Sequence, residues 1–247
     1  MRQLRDRLVP LLGRFPAPCP LDVRVETEEA LDGYRRQLVS YAVEPGERIA
    51  AYLLIPDGIE PPRAGILAVH QHAGQYYLGK SEPAGLSANA MYHYGLELCR
   101  RGYVVLCPDH LCFEDRRPPE YRRVERGALQ DGNYERFEFT ARLMRGTTLQ
   151  TKYLSDLTRG LDVLQTLPTV DPDRLGAVGH SLGGQEVAWL TWYDPRIKAA
   201  VCSCGIGTME TILRDHVNHN FAAYVPGFLD VCDVDGLVAD VAPTPFM

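Results

Sequence analysis

The stretch LGAVGHSLGG, residues 175–184, decides the fold. An apolar run from Leu175 to Val178 leads into it, and a helix-like run from Glu186 to Trp192 follows it. A G-x-S-x-G sequence between a strand and a helix is typical of a tight turn that strains its serine and exposes the hydroxyl. Gly179 and Gly183 fit such a turn, because a Cβ at either position would crowd it. The stretch therefore predicts a strand, a nucleophile elbow and a helix.

Ser181 is the predicted nucleophile of this elbow. The backbone N–H of the next residue, Leu182, is expected to point to the place where an oxyanion would form. The alternative interpretation is a Gly/Ser turn that joins a strand to a helix and carries no chemistry.

Short apolar runs before and after the elbow predict the other strands. Continuous apolar runs of this length fit strands that are buried on both faces, as in a parallel sheet. Four runs have this character: GILAVH (65–70), YVVLCP (103–108), RLGAVG (174–179) and KAAVCSCG (198–205). Two earlier runs, Arg36 to Val43 and Ile49 to Ile55, are joined at a Pro-Gly turn and predict an antiparallel hairpin.

Helical patterns separate the strands. Apolar residues recur at helical spacing from Met91 to Cys99, with Gly102 as a C-cap, and again from Leu149 to Leu164, where Pro168 ends the pattern. Alternating strands and helices predict right-handed βαβ units. We therefore expect one α/β domain over residues 1–247, with a mostly parallel sheet and helices on both of its faces.

A polar insertion interrupts this alternation at about residues 112–147. A connection of this length is usually functional or disordered, and here it is expected to lie over the carboxyl end of the sheet, where ligands bind in open α/β sheets. It contains RRPPEYRRVER, Arg116 to Arg126. A solvated surface is the favoured interpretation of these arginines, and recognition of an acidic substrate group is the alternative.

The net charge, the cysteines and the hydropathy of the chain argue against several classes of protein. The net charge of −6 argues against a general affinity for nucleic acid or for an anionic membrane. The seven cysteines have neither redox nor zinc-site spacing, which favours free thiols in a reducing compartment. No run is long enough to span a bilayer, and the apolar N-terminal run is too short for a signal peptide. These features predict a cytoplasmic protein.

Four blocks together resemble an α/β-hydrolase of the dienelactone hydrolase and acetyl-xylan-esterase-like group: ILAVHQHAGQ, RRGYVVLCPDH, VDPDRLGAVGHSLGG and PGFLDVCDVDGLVADVAPTPF. The resemblance implies that Ser181 is the nucleophile and that Leu182 gives the first oxyanion-hole N–H. It places the second donor in the HQHAG loop, at His72, with Ala73 or Gln71 as alternatives. Gln71 stands where the group often has glycine.

The resemblance also predicts where the remaining catalytic groups lie. In this group the acid follows the seventh strand and the histidine follows the eighth, whereas the APTPF block opens the seventh strand. We therefore expect the last strands, the acid and the base to lie beyond Met247, and KAAVCSCG, the sixth strand in this scheme, to form a bare edge. The alternative base is His216 or His219, in a segment otherwise interpreted as a polar helix start.

Hydrolysis of small-molecule carboxylic esters through an acyl-enzyme is the expected activity, without a metal or an organic cofactor. A serine peptidase of the prolyl-oligopeptidase type is one alternative, although no propeller repeats precede the hydrolase blocks. A non-catalytic binding protein with the same fold is the other. The expected partner is the ester substrate, with no nucleic acid and no membrane, and a homo-oligomer stays open.

Overall fold

The computed structural model describes residues 2–58, 60, 62–118 and 130–247. Within these ranges one sheet has seven strands, in the order β1-β2-β3-β5-β4-β6-β7. The strands are β1 Arg24–Leu31, β2 Tyr34–Glu44, β3 Glu47–Pro56, β4 Arg63–Val69, β5 Val104–Pro108, β6 Val170–His180 and β7 Ile197–Ser203. The helices are α1 Arg2–Leu12, α2 Tyr94–Arg100, α3 Gly132–Met144, α4 Leu149–Thr166, α5 Leu182–Tyr193, α6 Met209–Arg214 and α7 Val234–Ala239.

The sheet is antiparallel at its N-terminal side and parallel at its centre. Strands β2 and β3 form the predicted hairpin, and β3 pairs antiparallel with β5. Strand β4 pairs in parallel with β5 and β6, and β6 with β7. The predicted α/β fold, with an antiparallel hairpin before a parallel core, is confirmed.

Strand β1 is the element that the sequence pattern does not predict. It pairs antiparallel with β2, and seven of its eight residues are exposed. Its sequence, RVETEEAL, has neither an apolar run nor a clean alternation. Charged side chains suit an edge strand because they discourage pairing with another chain. The predicted sixth strand is therefore β7 of the structure.

The core lies on both faces of the sheet, as the apolar strand runs predict. Successive strand residues point to opposite faces. Leu53, Leu67 and Leu106 pack into a large cluster that also holds buried residues of α1, α4 and α5. Their neighbours Leu54, Ala68 and Val105 pack instead against Leu96 and Cys99 of α2. Helices thus cover both faces, and α5 is held against the face that it shares with α4.

Both predicted helices form, with one shifted start. Helix α2 begins at Tyr94, because Asn89 caps a separate 3₁₀ turn and leaves Met91 76% exposed. Gly102 follows the end of α2 with φ 93°, and its N–H donates to Cys99 O over 2.8 Å. It therefore stops the helix as predicted.

The outer edge of β7 has a partner in the last residues of the chain. The N–H of Ala200 donates to Pro245 O (2.9 Å) and that of Cys202 to Met247 O (2.7 Å), and Met247 N–H donates to Ala200 O (3.1 Å). The expectation of a bare strand edge is therefore wrong at these positions.

The insertion at 112–147 contains α3, and its first arginine is not a surface residue. Arg116 is 9% exposed and donates to Asp156 Oδ2 over 2.8 Å and to Glu47. The prediction of a solvated arginine surface is wrong for Arg116, because two acidic residues distant in sequence surround it. Residues 119–126 of the arginine-rich stretch lie outside the described residues. In the described part of the chain, no helix is long and apolar enough to cross a membrane.

Candidate active site

Ser181 lies in the sharp turn between β6 and α5. Its backbone has φ 53° and ψ −116°, an uncommon conformation for a residue with a side chain. Its N–H donates to Ser203 O at the end of β7 over 2.7 Å. A Cβ on Gly179 would lie 2.1 Å from Gly183 O, and one on Gly183 would lie 2.0 Å from Val69 O. The two glycines thus allow the close approach of β4, β6 and α5 that shapes this turn.

Leu182 is the first residue of α5, so its backbone N–H has no acceptor within the helix. Its side chain is buried in a cluster that includes Tyr76 and Phe113, and the His72 ring lies 5.1 Å from the Phe113 ring. Ser181, Leu182 and the loop that carries His72 therefore meet at the carboxyl end of β4 and β6.

The loop His70–Gly74 follows β4 directly, and we call it the oxyanion loop. Ala73 (φ 45°) and Gly74 (φ 68°) turn the chain, and the N–H of Gln75 donates to His72 O over 2.9 Å. Among the described residues, nothing accepts a hydrogen bond from the backbone N–H of His72. Gln71, one alternative donor, directs its side chain away to Glu82 (2.9 Å).

Both ring nitrogens of His72 have partners. Its Nδ1 accepts from the N–H of Gly74 (3.0 Å), so Nε2 carries the proton and donates to Glu135 Oε2 (2.9 Å). Tyr76 donates its hydroxyl to the same carboxylate oxygen over 2.5 Å. Because burial and the Glu135 charge raise the pKa of Tyr76 well above its ordinary value, this hydroxyl keeps its proton.

Glu135 is the residue of this site that the sequence pattern misses. It lies on α3, inside the insertion, and it is 1% exposed. Besides His72 and Tyr76, it accepts from the backbone N–H of Phe221 (3.3 Å). It stands 63 positions from His72, so only the folded chain shows the contact.

His70, the first residue of the oxyanion loop, forms a buried pair with His110. Nε2 of His70 accepts from the N–H of His110 (3.0 Å), and the His110 ring stacks on Tyr153. Burial lowers the pKa of His70 to about 4 and that of His110 well below its usual value. Both imidazoles are therefore neutral at pH 7.

His180 and the two alternative bases, His216 and His219, have other contacts. Nδ1 of His180 lies 3.0 Å from Ser203 Oγ. Nδ1 of His219 lies 2.9 Å from the side-chain amide nitrogen of Asn220. His216 is exposed, and Asp215 before it pairs with Arg214. In the described residues, no imidazole or carboxylate hydrogen-bonds to Ser181 Oγ. The predicted start of a polar helix in the segment of His216 and His219 is wrong. Helix α6 ends just before this segment, at Arg214, and Asp215 is its C-cap.

A cavity of about 180 Å³ adjoins the elbow. Gly205 packs so closely against the turn that a Cβ there would lie 2.6 Å from Ser181 O. The cavity is lined by Gln185, Trp189, Cys204, Gly205, Ile206, Gly207, Met209, Ile212, His219, Ala223, Phe228 and Val234. Burial lowers the pKa of His219, which lines this cavity.

Three carboxylates, those of Asp109, Glu114 and Asp115, have oxygens within 4.8 Å of one another. The buried ammonium of Lys80 contacts all three, at 2.9, 2.7 and 2.6 Å. This cation compensates their charge and ties the segment after the oxyanion loop to the end of β5. These ion pairs with Lys80 account for the close approach of the three carboxylates.

The turn at Ser181, the adjacent loop and the strand order define an α/β-hydrolase-type protein. The sequence model of the Dienelactone hydrolase family matches residues 49–226, and the chain belongs to this family.

Similar proteins agree with this placement. The chain is 29% identical over 249 residues to "Putative hydrolase YtaP" of Bacillus subtilis, covering 98% of this chain and 78% of that protein. The crystal structure of a protein from Bacteroides fragilis described as a "putative acetyl xylan esterase" superposes with a TM-score of 0.80 at 21% identity, covering 99% of this chain and 66% of that one. A glucuronoyl esterase from Solibacter usitatus gives 0.66 at 17% identity, covering 100% and 73%. At these identities, the two structures support the fold.

Proposed function

We propose that the protein is a serine hydrolase that cleaves carboxylic esters of small molecules through an acyl-enzyme at Ser181. The observation that carries this proposal is the strained backbone of Ser181 between β6 and α5. Strain of this kind persists at functional sites because the surrounding structure holds it. Family membership supports a hydrolase, and the strand–turn–helix setting supports the serine as its nucleophile.

In the proposed reaction, Ser181 Oγ attacks the ester carbonyl carbon and the carbonyl π electrons move to its oxygen. Backbone N–H groups of Leu182 and His72 are the proposed donors to this oxyanion. Collapse of the tetrahedral species expels the alcohol, which takes up a proton, and water then releases the acid from Ser181. A base must accept the serine proton.

The size and lining of the cavity beside the elbow favour a substrate with a small acyl group. Its volume of about 180 Å³ and its mixture of apolar and polar lining suit a short acyl chain better than a peptide segment. The similar solved structures carry the names of carbohydrate esterases, among them acetyl xylan and glucuronoyl esterases. We therefore propose acylated saccharides as the first substrates to test.

The test combines covalent labelling with turnover. In the full-length wild-type protein, we expect a fluorophosphonate probe to add its mass to the peptide that contains Ser181, and we expect p-nitrophenyl acetate to be hydrolysed. Ser181→Ala should remove both signals without changing the unfolding temperature. The matched control is Ser203→Ala, one strand away. Labelling or turnover that survives in Ser181→Ala would reject the assignment. An unlabelled, inactive wild type would favour the binding-protein alternative.

A further inference from the structure

One buried carboxylate connects three separate segments beside the elbow. Glu135 lies on α3, and its side chain is 1% exposed. Its Oε2 accepts from His72 in the oxyanion loop and from Tyr76 two residues after the loop, and its Oε1 accepts from Phe221 in the segment after α6. A buried carboxylate with three donors is well satisfied, so it can impose fixed positions on those donors.

The contact with His72 determines the orientation of the loop backbone. The imidazole is held from both sides, because Nε2–H donates to Glu135 and Nδ1 accepts from the N–H of Gly74. The loop has positive φ at Ala73, a conformation that alanine rarely adopts unless the surrounding structure holds it. Fixing the ring and the turn together fixes the peptide plane that carries the His72 N–H.

Packing below the ring leaves little freedom for another arrangement. Phe113 lies 5.1 Å from the His72 ring and stacks on Tyr76 at 4.9 Å. Leu182, the other proposed donor, is buried in the same apolar cluster. The carboxylate and the two rings therefore form one unit, and the side chain of Leu182 packs beside it.

We infer that Glu135 is a positioning residue of the oxyanion loop: through His72 and Tyr76 it holds the His72 backbone N–H toward the oxyanion. This inference rests on the proposed function. It gives the insertion a role in transition-state stabilisation, since α3 carries the carboxylate. Glu135 has no contact with the reacting atoms in this assignment, so its effect has to pass through the loop.

The experiment compares Glu135→Ala and Glu135→Gln with Glu138→Gln. Glu138 lies on the same helix and pairs with Arg142, away from the loop, so it is a matched control. Loss of one oxyanion donor costs roughly 10²–10³ in kcat. We expect Glu135→Ala to lower kcat for p-nitrophenyl acetate about 10²-fold with KM within about threefold of wild type. Glu135→Gln retains one acceptor oxygen for His72 and Tyr76, and it should recover part of the loss.

A second readout does not depend on activity. Hydrogen exchange at the amides of residues 71–75 should accelerate in Glu135→Ala and stay unchanged in Glu138→Gln, because only the former releases the loop. If wild type neither hydrolyses esters nor reacts with fluorophosphonate, the proposed function fails and this exchange result alone decides the positioning role. If Glu135→Ala does not fold, Glu135→Gln decides by the same two measurements. The inference is overturned by a folded variant with the kcat of Glu138→Gln, or, in an inactive protein, by unchanged exchange.

Discussion

Gly183→Ala tests whether the contact between α5 and β4 sets the geometry of the elbow. A Cβ at this position would lie 2.0 Å from Val69 O and 2.7 Å from His70 O, whereas such contacts are essentially never shorter than 3.0 Å. The helix and the strand would have to separate by about 1 Å. Overpacking of this kind costs roughly 1–3 kcal/mol. For a chain of this length, each kcal/mol lowers Tm by about 2–4 °C.

The same displacement should lower activity more than stability. Ser181 and Leu182 would move with α5, away from the oxyanion loop, and a misplacement of about 1 Å can reduce the rate by about 10²-fold. Thermal unfolding and kcat/KM for p-nitrophenyl acetate measure the two effects. Gly236→Ala is the control, because Gly236 lies on α7, outside the cavity lining, and a Cβ there meets only the Cys232 side chain, at 3.0 Å and beyond. A Gly183→Ala protein that melts and turns over like this control would refute the reasoning.

Three further predictions test the surroundings of the elbow. His72→Ala should lose part of its turnover, because the imidazole no longer holds the loop, but it should retain more than His72→Pro, which lacks the proposed donor N–H altogether; equal, total loss in both would show that the imidazole does more than position the loop. Burial raises the pKa of Glu186 to about 8, so the folded state favours the protonated carboxyl and loses stability as pH rises from about 5 to 8. Glu186→Gln should reduce the loss of stability between pH 5 and pH 8 by a few kcal/mol in urea unfolding, while the part that comes from Asp109 remains; a loss equal to that of the wild type would contradict the raised pKa of Glu186. Lys80→Met should cost about 3–5 kcal/mol at pH 8, because it leaves Asp109 as an unpaired buried charge. Since burial raises the pKa of Asp109 to about 7, the cost in urea unfolding should be smaller at pH 5, and an equal cost at both would argue against this cause.

The elbow and the parallel strands could be predicted because their signals are local. Gly179 and Gly183 lie four positions apart in LGAVGHSLGG, and the strands β4 and β5 are short apolar runs in which no residue is exposed. The similar run in β7 leaves Val201 exposed, which its composition does not predict. Helix α4 runs from Leu149 to Thr166 as its apolar stripe indicates, because Thr148 caps its start. In each case the residues that determine the structure are neighbours in the sequence.

The residues that escaped prediction depend on partners far along the chain. Arg116 stands among other arginines in the sequence, yet Asp156 and Glu47, 40 and 69 positions away, form its buried surroundings. Glu135 lies in a polar helix with no periodic signal, and its burial follows from contacts with the oxyanion loop and with Phe221. Charged residues in a long connection look alike in sequence, and only tertiary pairing distinguishes a buried one from a solvated one.

Two independent sets of contacts position the two halves of the candidate site. The conformation of Ser181 costs about 1–3 kcal/mol and persists because β7 accepts its N–H and α5 is buried along almost its whole length. The oxyanion loop depends instead on α3, through Glu135. A substitution on α5 should therefore shift the serine and leave the loop in place, whereas one at Glu135 should shift the His72 N–H and leave the strained serine unchanged. Since catalysis requires both halves within a fraction of an ångström, either change lowers turnover, and only measurements on the serine and the loop separately can assign the cause.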